Sequence, residues 1–267
     1  MTHYFLHLSA LAIFYVITAA TYASTTQIPV NAMLREVAAA ASAISGSRQP
    51  DKPGIIDHLL KRSNRPGRPE INITYPSLGR SDIDADIARW AANMADAFDD
   101  CFVGENNAPD SKDPYELSGT YAVSCPSAAA VSLTFDIWTY TGGAHGNRDI
   151  ITLNYSLITG QRLDIVDIFE DVDAALELMS QWSRKELFTR FAGSRMERMI
   201  REGTEPVIEN FSSLTLTPMG VCIRFQPYQV APWAAGAQDV DIPLEELAAA
   251  RPFLPLWRYS GSQLNTR

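Results

Sequence analysis

The sequence lacks the short motifs that identify several large enzyme classes. No G-x-S-x-G nucleophile motif is present, and neither is a Walker loop or a dinucleotide-binding glycine loop. Histidine is scarce as well, since the 267 residues contain four. A zinc site needs three or four ligands, and His58 is the one histidine besides His145 that lies outside the first seven residues. We therefore expect no cofactor, no bound metal and no assignable catalytic residue.

Positive charge is also under-represented. The chain has 22 Lys and Arg residues against 31 Asp and Glu, so the formal net charge is -9. Phosphate backbones and anionic lipid repel a protein of this charge, which argues against nucleic-acid binding. A cationic partner would instead be attracted.

The N-terminus contains no Asp, Glu, Lys or Arg within its first 23 residues. A nearly unbroken apolar run covers Tyr4 to Ala20, and the small residue Ala23 precedes Ser24. This pattern predicts a secretory signal peptide over residues 1–23, and hence a periplasmic or secreted protein. Because the segment before the run offers only His3, an uncleaved membrane anchor remains the alternative.

Three cysteines are compatible with export. Cys101 ends a helical pattern and Cys125 lies at a strand–turn boundary, with a short polar loop between them. We predict that they form a disulfide, which would stabilise the fold by roughly 3 kcal/mol. Cys222 alternates like a core strand residue, which indicates a buried free thiol. A Cys125–Cys222 bridge is the competing connectivity.

Short strand patterns alternate with two long helical patterns, without a regular strand–helix–strand rhythm. This predicts an α+β fold, with a mainly antiparallel sheet packed against two long helices and a smaller N-terminal strand–helix portion. Within the linker, residues 55–61 are predicted to form one or two helical turns. The expected divisions are a signal peptide, a spacer or helical linker, a small strand–helix subdomain, a C-terminal domain and a tail, at residues 1–23, 24–69, 70–114, 115–250 and 251–267.

Two stretches stand out as candidate functional segments. In the first, a β-branched and aromatic run ends at Tyr140, and His145 follows among three glycines. Glycines in this density allow positive φ or a close backbone approach. The second stretch, Pro227 to Gly236, carries Tyr228 and Trp233 among prolines with little charge. Such aromatics suit recognition of a glycan or a protein, and they suit equally a loop packed on the sheet.

These two stretches resemble the signatures of a bacterial domain of unknown function. The resemblance is carried by Tyr140-Thr141-Gly142-Gly143-Ala144-His145-Gly146, by Leu163-Asp164-Ile165-Val166-Asp167-Ile168-Phe169 and by the stretch from Phe225 to Gly236. The domain forms the extracellular part of the anti-sigma factor RsiV and precedes the catalytic domain of the peptidoglycan deacetylase PdaC. Residues 71–102 are similar to the smaller domain that usually comes before it.

The resemblance implies an exported α+β protein without assigned chemistry. In RsiV the domain senses lysozyme by binding it directly. No sigma-binding segment precedes the apolar run here, and no catalytic domain follows the C-terminal signature, so neither activity is expected. Phe98-Asp99-Asp100 is similar to part of a deacetylase element, but Cys101 replaces its glycine and no paired histidine motif follows. We interpret that similarity as coincidence.

We therefore expect a non-enzymatic envelope protein that binds a basic, lysozyme-like protein or peptidoglycan. The alternative is an envelope glycan hydrolase that uses His145 with an aspartate, and a third hypothesis is a purely structural module. His145 has a structural interpretation too, in which it holds the glycine segment in shape. The sequence leaves the oligomeric state open. The predicted binding residues are Tyr140, Gly142, Gly143, His145, Gly146, Tyr228 and Trp233.

Overall fold

A computed structural model of the chain describes residues 54–62, 68–102 and 115–257. The predicted signal peptide lies outside these residues, as does most of the predicted spacer. The strands in chain order are β1 (Ile56–Arg62), β2 (Glu70–Ser77), β3 (Glu116–Ser127), β4 (Ala130–Tyr140), β5 (Asn147–Ser156), β6 (Leu214–Thr217), β7 (Gly220–Phe225) and β8 (Gln238–Pro243). The α-helices are α1 (Ser81–Asp100), α2 (Ile165–Ile168), α3 (Val172–Arg190) and α4 (Glu197–Gly203).

The strands form two sheets. The first has the order β1-β2-β3-β4-β5, and the second has the order β6-β7-β8. Strands β2 and β3 run parallel, whereas all the other neighbours are antiparallel. The predicted α+β class with mainly antiparallel pairing is therefore confirmed, with the strands divided between two sheets. The first sheet joins residues on both sides of the predicted boundary at 114–115, and the division into domains stays a prediction.

Helix α1 covers one face of the first sheet. Its Ile83, Ile87 and Met94 recur at helical spacing and are buried, which is the pattern of a helix with one face in the core. They pack with sheet residues such as Ile73 and Phe135, both fully buried. Burying an aliphatic side chain of this size contributes about 1.5–3 kcal/mol. This core fixes the helix on the sheet.

A layer of buried polar side chains attaches the second sheet to the opposite face of the first. The Ser132 hydroxyl donates to Asn154 Oδ1 at 2.5 Å and accepts from the Leu216 amide at 3.0 Å. The Asn154 amide donates to the Leu214 carbonyl at 3.0 Å. Because these groups are shielded from water, an unpaired partner would be costly, and the network therefore specifies how β6 lies across β4 and β5.

Helix α3 is the second long helix. The Asp171 side chain accepts from the Ala174 backbone amide at 3.0 Å and so caps the start of this helix. Met179 and Leu187 are buried in a second core with residues of the three-stranded sheet, including Ile223 and Phe225. In the described part of the chain, no helix is both long enough and apolar enough to cross a membrane.

The helical turns predicted for residues 55–61 are wrong. This segment is strand β1, which pairs antiparallel with β2 in a register that places Leu60 opposite Ile73. Its side chains are mostly exposed, so the strand lacks the alternation of buried and exposed positions that would give its sequence a period of two. The strand is specified by pairing with a distant segment, which local pattern cannot reveal.

The predicted tail also begins with packed residues. Leu256 and Trp257 are buried, and the Trp257 indole donates to the carbonyls of Thr217 and Gly220, each at 3.0 Å. The Phe253 amide donates to the Ile168 carbonyl at 2.8 Å. Residues 251–257 therefore close the second core, and residues 258–267 lie outside the described part.

The predicted Cys101–Cys125 disulfide is not formed. The Cys101 thiol lies at the end of α1 and donates to the Ala97 carbonyl at 3.0 Å. The neighbouring Phe102 contacts Tyr115, just before β3, whereas Cys125 lies ten residues further along that strand. At about 3.3 Å per residue, the two cysteines are on the order of 30 Å apart, far beyond disulfide reach. The half-buried Cys222 is not bridged either.

Candidate functional site

The glycine loop, residues 141–146, connects β4 to β5. Gly142 and Gly143 have φ of 87° and 108°, a conformation that side chains with a Cβ rarely adopt. The Tyr140 hydroxyl donates to the Gly143 carbonyl at 3.3 Å. Residues 141–145 are exposed. The loop therefore projects from the sheet as a shaped surface feature.

Gly146 ends this loop and, unlike the residues before it, is buried. A Cβ at this position would lie 2.4 Å from the Trp138 indole and 2.6 Å from the Thr139 carbonyl oxygen. The backbone can approach the indole so closely only because no side chain intervenes. The glycine thus lets the backbone directly after His145 pack against the Trp138 indole.

The proline loop, residues 226–237, connects β7 to β8 and is held from below. The Gln226 side chain donates to the Ile150 carbonyl at 2.6 Å and accepts from the Ile150 amide at 2.7 Å. The Gln229 side chain donates to the Gly203 and Asn210 carbonyls, both at 3.0 Å. Val230 is fully buried. Two amide side chains and a core residue therefore anchor this loop.

Between the two anchors, Tyr228 has a positive φ of 71° and is 56% exposed. A non-glycine residue in this conformation carries strain of order 1 kcal/mol, and the surrounding bonds must hold it in place. The backbone amide of Gln226 donates to Gln229 Oε1 at 3.0 Å, so a hydrogen bond links the two glutamines that flank Tyr228. The phenol is thereby directed outward.

The two loops meet at a cluster of rings, which we call the aromatic surface: Trp138, His145, Tyr228 and Trp233. The His145 imidazole stacks on the Trp233 indole, with ring centroids 4.9 Å apart and an interplanar angle of 18°. The centroids of Tyr228 and Trp138 lie 5.8 Å and 6.3 Å from that of Trp233. Trp233 is therefore the centre of the cluster.

Two ion pairs lie beside the aromatic surface. Arg148, directly opposite Trp138 in the register, makes a two-pronged pair with Asp136. Arg224 makes a similar pair with Asp239, with both distances at 2.6 Å. These hydrogen bonds raise the pKa of Arg148 and of Arg224. Because each arginine is matched by a carboxylate, the ion pairs add no net charge next to the rings.

Asp149 is a carboxyl group with an unusual environment. Burial raises its pKa from an ordinary 3.8 to about 6. It lies opposite Ile137 in the register, whereas its neighbour Arg148 lies opposite Trp138. Side chains alternate along a strand, so Asp149 points to the α1 side of the sheet, away from the aromatic surface.

The contacts of His145 are few. Its Nδ1 lies 2.8 Å from the carbonyl oxygen of Gly146. Among the described residues, no carboxylate hydrogen-bonds to the imidazole, and no hydroxyl nucleophile does so. No group of three or more His, Cys, Asp or Glu side chains in residues 54–62, 68–102 and 115–257 is arranged to hold a metal ion. The aromatic contact that the geometry shows for the imidazole is its stack on Trp233.

Two family models match adjacent parts of the chain. The model described as "Protein of unknown function (DUF3298)" matches residues 166–245, and the model described as "Deacetylase PdaC" matches residues 58–148. The chain therefore contains one region similar to the PdaC model and one similar to the DUF3298 model. This confirms the resemblance drawn from the glycine and proline segments, while its RsiV part stays a prediction. The glycine loop lies in the first region and the proline loop in the second.

Comparison with individual proteins gives, among others, a relative of known name and two solved structures of low sequence identity. Peptidoglycan-N-acetylmuramic acid deacetylase PdaC of Bacillus subtilis (strain 168) is 31% identical over 127 residues, which cover 48% of this chain and 27% of that protein. The chain thus spans about a quarter of the relative's length. DUF3298 family structures from Pseudomonas aeruginosa PAO1 and Bacteroides fragilis NCTC 9343 are 17% and 15% identical, each with a TM-score of 0.49. They cover 76% and 75% of this chain, and 94% of each of those chains is covered.

All seven residues that the sequence singled out lie in the two loops or at their border. The structure brings His145, Tyr228 and Trp233 together, whereas Gly142, Gly143 and Gly146 shape the backbone and Tyr140 bonds to it. The prediction omitted Trp138. Its position two residues before Tyr140, on the same strand face, was the signal that it shares their surroundings. Whether these residues bind a ligand stays a prediction.

Proposed function

We propose that this protein is an exported, non-enzymatic binding protein of the cell envelope, and that its aromatic surface holds the glycan of peptidoglycan. The observation that carries the proposal is the stack of His145 on Trp233, with Tyr228 and Trp138 beside it. The predicted signal peptide supports export. The relative from Bacillus subtilis bears peptidoglycan in its name, which supports this choice of ligand.

The chemistry of the surface suits a sugar. An indole presents a flat face with a negative quadrupole, against which the polarised C–H groups of a sugar ring can lie. Hydroxyl and acetamido groups at the ring edge then face the two neighbouring ion pairs, which offer both donors and acceptors. Because the proline loop is anchored, little ordering entropy is lost when a ligand is bound.

The hydrolase alternative lacks geometric support. A histidine acting as a general base needs a nucleophile or water to deprotonate, and an orienting carboxylate. Asp149, whose pKa burial raises to about 6, lies on the α1 side of the sheet. The deacetylase-like Asp99 forms an ion pair with Arg68 at 2.8 Å, which is a structural role.

A basic wall-active protein such as lysozyme is the second candidate partner. The observation that favours it is the net charge of -9, which raises the rate of encounter with a cationic protein. Tryptophan and tyrosine are also the residues that dominate protein interfaces. The same surface would serve, but the binding would depend strongly on salt.

Co-sedimentation with purified peptidoglycan tests the proposal. The wild-type protein should bind in a saturable manner, and Trp233→Ala should weaken binding about tenfold or more, as loss of a central aromatic anchor does. Trp182→Ala is the matched control, because Trp182 lies on α3, where its indole donates to the Asp241 carbonyl at 2.9 Å.

Titration with lysozyme at low and moderate salt runs in parallel. Binding to lysozyme but not to peptidoglycan would replace the glycan by the second candidate. Equal losses for Trp233→Ala and Trp182→Ala would remove the aromatic surface as the site. A circular dichroism spectrum for each variant establishes that the fold is kept.

A further inference from the structure

Strand β1 forms one edge of the five-stranded sheet and exposes two large apolar side chains. Within residues 54–62, 68–102 and 115–257, it pairs with β2 alone. Ile56 is 61% exposed and Leu59 is 60% exposed, and the preceding Ile55 is 46% exposed. An outer edge of this kind presents unpaired backbone N–H and C=O groups, which is a template for pairing with another strand.

We propose that β1 pairs antiparallel with β1 of a second copy of this chain, which would join the two sheets into one of ten strands. Closed homo-oligomers are mostly two-fold symmetric, with the same patch on both partners. In a continuous sheet, this two-fold axis is perpendicular to the sheet, and rotation about it leaves every side chain on the same face. Residues that lie opposite each other across the interface must therefore point to the same face of the sheet. Only every second register meets this condition.

One of these registers matches the charges of the strand. When Leu59 lies opposite Leu59, the acidic Asp57 of each copy faces the basic Lys61 of the other. Both residues are exposed. The pairing therefore contains two opposite-charge pairs that flank an apolar contact, each of which stabilises neighbouring strands.

The adjacent allowed registers lose this match. Centring on His58 places Asp57 opposite Leu59, and centring on Leu60 places Lys61 opposite Leu59. The Tyr121 hydroxyl donates to one oxygen of Asp57 within the same chain, and the carboxylate retains a second oxygen for Lys61. The charge pattern thus favours the Leu59-centred register, and it explains why the lysine does not block the edge.

The dimer would leave the aromatic surface free. That surface lies at β4 and β5, at the other end of the five-stranded sheet from β1. Two copies joined at β1 would present two such surfaces to one polymeric ligand. The dimer itself does not depend on the proposed glycan, so the two ideas can be tested separately.

Sedimentation equilibrium tests the dimer. The sample is the protein as it is purified from the expressing cell, with no truncation made by the experimenter. The concentrations run from about 1 µM to about 1 mM, the range in which small interfaces dissociate. Lys61→Asp places two like-charge pairs in the interface and should raise the dimer Kd about tenfold or more. The double variant Asp57→Lys with Lys61→Asp restores opposite charges and should recover dimerisation. Arg198→Asp, which reverses an exposed positive charge on α4, is the control and should leave Kd unchanged.

Three results would overturn the proposal. A wild-type protein that stays monomeric at the highest concentration shows that the edge is unoccupied or is covered by another part of the same chain. A dimer that tolerates Lys61→Asp uses another surface. A double variant that keeps its circular dichroism spectrum but stays as weak as Lys61→Asp shows that Asp57 does not face Lys61.

Discussion

The two loops that form the aromatic surface are held in very different ways. The proline loop is fixed from below by the side chains of Gln226 and Gln229 and by the buried Val230. The glycine loop is exposed over residues 141–145, and the Tyr140 hydroxyl supports it through one long hydrogen bond to Gly143. The two loops touch where the rings of His145 and Trp233 stack.

Under the proposed binding function, this difference gives the two loops different tasks. Trp233 is carried by the anchored loop and is therefore a preorganised platform, which saves ordering entropy on binding. His145 is carried by the loop with few buried contacts, which is the kind of segment that opens locally at low free-energy cost. We infer that the platform supplies most of the binding free energy and that the imidazole contributes through its stack on the indole.

The largest effect is expected when the anchored loop is displaced. A Cβ at Gly203, at the end of α4, would lie 2.2 Å from the Gln229 carbonyl oxygen. Helix α4 on one side and the anchored proline loop on the other cannot easily move apart. Gly203→Ala should therefore lower the free energy of unfolding by about 3 kcal/mol, as overpacking of a core does. Urea denaturation measures this change.

Gly146→Ala is the matched substitution in the other loop. Its Cβ would meet the Trp138 indole at 2.4 Å, but the exposed residues before it can shift. The loss should therefore be smaller, and Gly54→Ala, which meets nothing within 4 Å, should have no effect. A larger loss for Gly146→Ala than for Gly203→Ala would reverse our ranking of the loops.

A smaller effect concerns Asp149, just after the glycine loop. Burial raises its folded-state pKa to about 6, above the unfolded value, so the folded protein binds the proton more tightly between about pH 4 and pH 6. The ionised carboxylate thus destabilises the fold above pH 6, and this penalty is absent below about pH 4. Asp149→Asn should stabilise the protein by about 1 kcal/mol at pH 7 and by nothing at pH 4.

Unfolding of both proteins in urea across this pH range gives the difference directly. A gain for Asp149→Asn that is constant with pH would point to a packing effect instead of a buried charge. A loss at pH 7 would mean that the carboxylate has a stabilising partner.

Local sequence patterns predicted the helices and strands that have one face buried in the core. Ile83, Ile87 and Met94 recur at helical spacing because α1 packs on the sheet, and their burial follows from that repeat. The side chains of residues 55–61 are mostly exposed, so no repeat of apolar residues marks this strand in the sequence. The strand is specified by its pairing with β2. The division of the strands into two sheets depends on long-range bonds such as Asn154 to Leu214, which the sequence does not display.

The candidate site was predicted in parts but not as a whole. Glycine density pointed to the backbone around His145, and proline with little charge pointed to Trp233, since both are local features. Their stacking is a contact between residues 88 positions apart in sequence, which no local pattern encodes. The expected Cys101–Cys125 bridge was wrong for the same reason, because loop length says nothing about where β3 carries Cys125.

The most direct test of the account is a double-mutant cycle on His145 and Trp233, measured by titration with soluble peptidoglycan fragments. We expect Trp233→Ala to weaken binding about tenfold and His145→Ala to weaken it about threefold. We expect the double variant to bind about as weakly as Trp233→Ala alone, because the imidazole acts through the indole on which it stacks. Losses that multiply, or binding that neither substitution changes, would contradict the account.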